Sequence, residues 1–276
     1  RTGEGSLAIM RYATRLQQFP LGVIGTAITL SILPVLARQA PQRLVDLPTA
    51  MEFRTTMVMA VRTAFILMVP ITVVLTVLSE PVVRVVYERG AFDSAAAELT
   101  GLALLIYAIQ LPVTVLDQVF IATFYAMRNT LTPVLVGVFG GIAYLVTALS
   151  LVEPFGVFGL IVANTVQNAL HGVILGWLIW RRMKGFSDPG LWSAGIRVIL
   201  AGALAALLGL VVRELVMSGQ QAAAWQVLTI SGFAIVGSYF SLLGFLRVPE
   251  VGMFARVVGA RFGQSLRRPS EDDNGH

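Results

Sequence analysis

Few polar side chains fall inside the long apolar stretches of this sequence, and those few mark where chemistry can occur. Arg62 and Asp117 are the ionisable ones, and Asn164, Asn168 and His171 recur at i, i+4 and i+7, so they share one helical face with Gln167 beside it. An ionisable group in hydrocarbon is costly and turns toward a bundle interior or a wet cavity. At such a place a guanidinium offers paired donors in a planar fork, which suits a phosphate. The other reading of Arg62 is a side chain that snorkels to the interface. Asp117 either pairs with Arg62 across the bundle or meets a substrate. Asn164 and Asn168 either bind substrate or join neighbouring helices by hydrogen bonds. His171 either belongs to that polar face or relays protons. With no cysteine, thiol catalysis, disulfides and thiolate metal sites are excluded, and His171 and His276 are the sole imidazoles, so neither a metal nor a cofactor is expected. No phosphate-binding glycine loop and no nucleophile elbow occurs. The chemistry that remains is translocation rather than bond-making, so no enzyme is expected.

The surrounding stretches explain why these positions are unusual. Of 276 residues, 56% are hydrophobic and 13% charged, with a mean hydropathy of +0.79. Ordinary soluble domains carry about 25% charged residues, and one soluble core does not hide such an excess. The apolar runs also have spanning length, since a bilayer core of about 30 Å takes about 20 helical residues. Seven are predicted, at 16–36, 57–78, 99–126, 133–152, 157–180, 196–217 and 225–246. They are continuous rather than alternating, which excludes a transmembrane β-barrel. The fold class is therefore an all-α membrane protein, a polytopic bundle of about seven transmembrane helices. The segment from Pro81 to Tyr87 mixes apolar and charged positions and reads as interfacial. Prolines and glycines recur at depth. Pro20, Gly22, Gly25, Pro70 and Pro112 are predicted hinge or kink positions, because proline removes a backbone hydrogen bond and bent helices line transporter cavities. Gly137 with Gly141 and Gly172 with Gly176 have the spacing of close helix packing.

The net charge of +5 and pI near 10.1 do not point to nucleic acid, because the basic residues sit in short links between apolar runs. Thirteen of the twenty fall on one side of the predicted membrane and six on the other, with Arg62 inside the second span. The excess marks the cytoplasmic side, so the C-terminus is expected inside and the N-terminus outside. Residues 1–15 show no signal peptide, so further membrane helices are expected upstream.

Four segments then carry a resemblance. Arg15-Leu-Gln-Gln-Phe-Pro-Leu-Gly-Val-Ile-Gly-Thr-Ala, followed by Ile32-Leu-Pro34, resembles the MurJ/MviN lipid II flippases, as do Arg62 with Pro70, Glu88-Arg-Gly-Ala-Phe92, and Phe124-Tyr-Ala-Met-Arg-Asn-Thr-Leu-Thr-Pro133. The order and spacing agree over most of the chain and fade after about Lys184. The resemblance implies two six-helix lobes plus two extra helices, of which this chain would supply the last seven. Residues 1–184 would be second-lobe helices, 185–246 the two additional ones, and 247–276 a basic cytoplasmic tail. It also implies a bacterial cytoplasmic membrane and a cargo, the undecaprenyl-pyrophosphate-linked disaccharide-pentapeptide, moved by alternating access for cell-wall synthesis. Arg62 would match a cavity arginine that engages the pyrophosphate, with Asp117, Asn164 and Asn168 as further substrate-binding candidates. The last two helices would form a groove for the lipid tail. Partners would be lipid II, membrane lipids and the N-terminal lobe of the same protein, without which no transport is expected, and nucleic acid would not be one. One departure stands out: relatives carry a basic residue near Asp117 and Gln118, and this chain does not.

Two other classes are open on these residues. One is an exporter of the same superfamily for polysaccharide-lipids or drugs; a cationic drug would favour Asp117 without a nearby arginine. The other is a membrane scaffold that does not transport. The charge asymmetry makes a prediction common to all three: a topology reporter fused after Leu246 reads cytoplasmic, and one fused before Leu16 in the full-length protein reads external. Both reporters on one side would show an even number of crossings.

Overall fold

A computed structural model describes residues 4–40, 47–90, 92–183, 189–218 and 222–248. Every regular element among them is helical, as continuous apolar runs require when the backbone must satisfy its own hydrogen bonds in lipid. In chain order these are α1 (Glu4–Pro20), a π-helical turn (Leu21–Gly25), α2 (Thr26–Gln39), α3 (Leu47–Val77), α4 (Ser79–Tyr87), α5 (Ser94–Ile109), α6 (Leu111–Ala126), α7 (Leu131–Phe155), α8 (Val157–Arg182), α9 (Pro189–Ser218) and α10 (Ala224–Phe245). Six stretches are long and apolar enough to span a bilayer, and α5 with α6 makes a seventh, bent by 45°. Seven crossings agree with the sequence reading. The expected tail at 247–276 lies outside the described residues beyond Val248.

Proline shapes the bundle in three different ways. After Pro20 the helix does not break; it widens into the π turn, so α1, that turn and α2 form one span, Leu7–Gln39. The predicted hinge glycines differ in environment. Gly25 is buried against the Gln118 amide of α6, which a Cβ would overlap, whereas Gly22 faces open space. At Pro112, α5 and α6 part, with Gln110 as the residue at the bend. At Pro70, α3 runs on as one continuous helix. A helical proline leaves the carbonyl four residues earlier without its N–H partner. Here that carbonyl is Ile66, and the Tyr239 hydroxyl of α10 donates to it at 2.9 Å, with Tyr239 fully buried.

The two arginines of α9 serve a related purpose. Arg213 donates from Nη1 to the carbonyl of Val77, the last residue of α3, at 3.1 Å. Arg197 donates from Nη1 to the carbonyl of Leu246, just past α10, at 3.1 Å. Each cation thus meets the negative end of a neighbouring helix. Small residues let α9 come close: a Cβ on Gly202 would lie 2.7 Å from Val69 Cγ1, and one on Gly209 would lie 2.6 Å from Ile235 Cδ1. Ala201 and Ala205 are also buried, while Leu200, Leu204, Leu207 and Leu208 point outward. The small residues of α9 are therefore packed against α3 and α10, and its leucines face outward.

Two of the resembling segments turn out to be structural. In Glu88–Phe92, Glu88 and Glu80 both pair with Arg84, at 2.9 and 2.8 Å, and raise its pKa; the first cause is its hydrogen bond to Glu80. Phe92 joins Tyr12 of α1 and Tyr87 of α4 in an aromatic cluster with ring centroids 4.8–5.9 Å apart. In Phe124–Pro133, Arg128 takes a positive φ of 55°, Asn129 N–H donates back to Phe124 O, and the Asn129 side chain accepts from Thr132 N–H. That ends α6 and starts α7 within a few residues. Gly156, with φ +56°, then turns α7 into α8.

The α9 packing generates a matched pair of expectations. Gly209→Ala must displace Ile235, and overpacking of this kind costs about 1–3 kcal/mol. Gly237→Ala meets nothing within 4 Å and exchanges a poor helix former for a good one. In detergent, Gly209→Ala should lower the thermal unfolding midpoint and Gly237→Ala should leave it unchanged or raise it.

Candidate functional site

The polar face read from α8 is real, and its partners come from the bend. Gln110 is 2% exposed and sits between the two halves of the broken helix. Its amide Nε2 donates to Asn164 Oδ1 at 3.3 Å, and its Oε1 accepts from Asn168 Nδ2 at 2.9 Å. Asn168 Nδ2 also donates to Asn164 Oδ1 at 3.2 Å. The two asparagines and the glutamine thus close a three-member network across α8 and the α5–α6 junction. Sequence reasoning named the asparagines but passed over Gln110. The available signal was a carboxamide two residues before Pro112, where a freed backbone invites a polar neighbour.

One turn further along α8, His171 engages Asp117 of α6, Nδ1 to Oδ1, at 2.7 Å. Its other nitrogen, Nε2, lies 3.2 Å from the carbonyl of Pro133 in the first turn of α7. Among the described residues, no ion pair joins Asp117 to Arg62, the alternative partner considered for it. The helices that carry the pair approach closely because Gly172 lacks a side chain: a Cβ there would lie 3.0 Å from Val113 Cγ1 and 3.4 Å from Asp117 Cβ. Gly176 stands in the same relation to the Phe120 ring, at 3.0 Å. On α7 the contacting glycines are Gly137, against His171, and Gly140, against Gln167; Gly141, the second member of the predicted spacing, touches nothing within 4 Å.

Arg62 lies in the middle of α3, half-buried, with Nε and Nη2 shielded from solvent. Its guanidinium is thus an interior group. A second pair of cations was placed outside the membrane by the sequence reading, which started the first span at residue 16. The apolar stretch Leu7–Gln39 is longer than the about 20 residues a bilayer core takes, and Arg11 and Arg15 lie in its N-terminal part, ahead of the continuous apolar run that begins near Phe19. Both are exposed, one turn apart, on a face of α1. A groove of about 350 Å³ is lined by Leu7, Ala8, Arg11, Tyr12 and Arg15, and an adjoining one of about 370 Å³ adds Met10 and Thr14.

Comparison with known proteins places this geometry in context. The family model described as "Lipid II flippase MurJ" matches residues 2–229. A probable lipid II flippase MurJ from Rhizobium meliloti is 32% identical over 97% of this chain and 50% of the relative. One from Synechocystis is 28% identical over 92% of the chain and 48% of the relative. The chain spans about half the length of these curated relatives. Among solved structures, "Lipid II flippase MurJ, inward closed conformation" superposes with a TM-score of 0.70 at 18% identity, covering 89% of this chain and 48% of that one, which shows a shared fold.

The carboxamide network predicts coupled losses. Gln110→Ala leaves the half-buried amides of Asn164 and Asn168 with fewer partners; a fully buried polar group left unsatisfied costs about 1–3 kcal/mol, so the loss should lie toward the lower end. Asn168→Ala should cost a similar amount. The double variant should lose less than the two losses combined, because both remove members of one network. Thermal unfolding of the four proteins in detergent measures this, and strict additivity would show that the amides act separately.

Proposed function

The chain belongs to the MurJ family of lipid II flippases, and we propose that it acts as the second half of one. In this reading it works with an N-terminal lobe to move lipid II from the cytoplasmic to the outer leaflet of a bacterial inner membrane, by alternating access and without transforming its cargo. Residues 1–184 supply second-lobe helices, 185–246 the two additional helices, and 247–276 a basic tail. The C-terminus lies in the cytoplasm.

The observation that carries this reading is the cationic face of α1. Arg11 and Arg15 are exposed on α1, in the N-terminal part of the long apolar stretch Leu7–Gln39. A charged side chain that faces hydrocarbon is costly, so such a pair turns toward water or a cavity. Two of them one turn apart also repel each other. An arrangement this unfavourable in lipid suits a water-filled cavity that receives a dianionic group. A diphosphate between two lobes fits: its oxygens accept paired guanidinium donors, and a neighbouring anion offsets the repulsion. Arg62 is a further diphosphate contact in this scheme, from within the bundle. Asp117, Asn164 and Asn168 are spent on contacts inside the bundle, so their part is to hold α8 against the bend. The same engagement of Asp117 weighs against a cationic cargo, which would need a free carboxylate.

Complementation of a flippase-depleted bacterium with the full-length protein tests this. Arg15→Ala should fail to support growth while membrane insertion and amount stay normal, and Arg62→Ala should do the same if it too reaches the diphosphate. A hydrogen bond to a charged group is worth about 1.5–3 kcal/mol, so binding of a diphosphate lipid should weaken at least about tenfold in either variant. The lysine variants should be intermediate, since they keep charge but lose the fork. Full growth with both alanine substitutions combined would sink the assignment.

A further inference from the structure

The Asp117–His171 pair has an unusual complement of neighbours. Both groups around the imidazole, the Asp117 carboxylate at Nδ1 and the Pro133 carbonyl at Nε2, are acceptors in their ordinary forms. A neutral imidazole has only one N–H and satisfies only one of them. Two arrangements satisfy both sides: an imidazolium between carboxylate and carbonyl, or a protonated carboxyl donating to Nδ1 while Nε2–H donates to Pro133. They hold the same number of protons and are both electrically neutral overall. Removing one proton leaves a net negative charge on two side chains that are each 14% exposed, and it turns a bare lone pair toward either the carboxylate or the carbonyl.

We propose that Asp117 and His171 form a proton-binding site whose occupancy latches α7 onto α8. With the proton bound, α6, α8 and the first turn of α7 are joined through one imidazole. With the proton gone, the bond to Pro133 or the bond to Asp117 becomes a repulsion, and the start of α7 is released. The placement makes this contact matter: α7 leans on α8 along its length and meets α6 only slightly, while Leu135, Phe139, Ile142 and Leu149 on its other side are exposed. Besides this contact, that end is held by the Asn129 cap on Thr132 N–H and by Val136, buried among Phe120, Phe124, Leu175 and Ile179. Toward the middle of the helices packed around the pair, the other titratable or charged groups are Arg15 on α1, Arg62 on α3, Tyr107 on α5 and Tyr144 on α7. The remaining ones lie nearer the helix ends: Arg11 and Tyr12 on α1, Arg38 on α2, Glu52 and Arg54 on α3, Glu98 on α5, Tyr125 on α6, Glu153 on α7, and Arg181 and Arg182 on α8. None of these is hydrogen-bonded or ion-paired to Asp117 or His171. The proton is therefore the species that decides the state of the pair.

This chain has no cysteine of its own, and any in the N-terminal lobe are replaced before labelling. Val134→Cys on α7 and Val173→Cys on α8, exposed by 56% and 64%, carry nitroxide labels on the purified protein in detergent. Dipolar electron paramagnetic resonance then reads the spacing from about pH 6 to about pH 9, a range centred above the usual imidazole titration. The parent should show one narrow distance at the acid end and a second, longer population growing severalfold toward the alkaline end. Asp117→Asn supplies a neutral donor to Nδ1 and leaves Nε2–H for Pro133, so it should stay narrow throughout. His171→Phe should be broad throughout. Should the phenylalanine variant not fold, 15N-histidine spectra of the parent carrying His276→Gln decide the point, since His171 is then the sole imidazole of this chain and its signals are assigned by difference against His171→Gln: the closed form must show Nε2 protonated and the Nδ1 site sharing a proton. An invariant distance in the parent, a pH-dependent one in Asp117→Asn, or a bare Nε2 in the closed form would each overturn the latch. The measurement uses no substrate, so its failure leaves the transport reading standing.

Discussion

A backbone carbonyl without an N–H partner is the costliest small defect in a hydrocarbon environment, and much of this bundle is arranged around supplying such partners. Pro70 opens the carbonyl of Ile66, and Tyr239 crosses from α10 to fill it. The ends of α3 and of the segment after α10 expose carbonyls, and Arg213 and Arg197 of α9 reach them. In each case the defect is local and its repair is distant in sequence, so repairing it fastens two helices together. Lipid offers apolar side chains no reason to prefer another helix. A few side-chain-to-carbonyl bonds, together with close packing at glycine, can therefore set which helices are neighbours.

This division explains what was legible in the sequence. Span number and type follow from unbroken apolar runs, so seven crossings could be read directly. Pro112 marked a bend that is present. Its neighbours could not be read, because the bonds that organise the bend link residues 54 and 58 positions apart. The same holds for Asp117: Arg62 looked a reasonable partner on helix order alone, whereas His171 lies closer because Gly172 and Gly176 draw α8 against α6. Two proline environments were equally unreadable: Tyr239 supplies the partner that Pro70 removes, and a π turn follows Pro20 within a helix that extends N-terminally past residue 16.

The segments that carried the family resemblance also divide by role. Glu88–Phe92 and Phe124–Pro133 build a cluster, a cap and a reversal. They record how the chain folds and say nothing of cargo. The segment around Arg15 does both: its proline and glycines shape the helix, and its arginine supplies charge. Similarity across the first two segments alone would thus support a common architecture without a common substrate.

The π turn at Leu21–Gly25 has a consequence for the geometry of the first span. Such a turn accommodates one residue more than an α-helical turn would. One residue corresponds to about 100° of rotation in a helix of 3.6 residues per turn. The face of α1 that carries Arg11 and Arg15 is thereby out of phase with the face of α2 that packs on α3 and α6. The turn works as a phase shifter: it lets one continuous rod present its cations in one direction and its packing surface in another. Straightening it into a plain α-helix, with α2 fixed by its neighbours, would swing both guanidinium groups around the axis by roughly a quarter turn, and would turn Tyr12 of the same helix away from Tyr87 and Phe92.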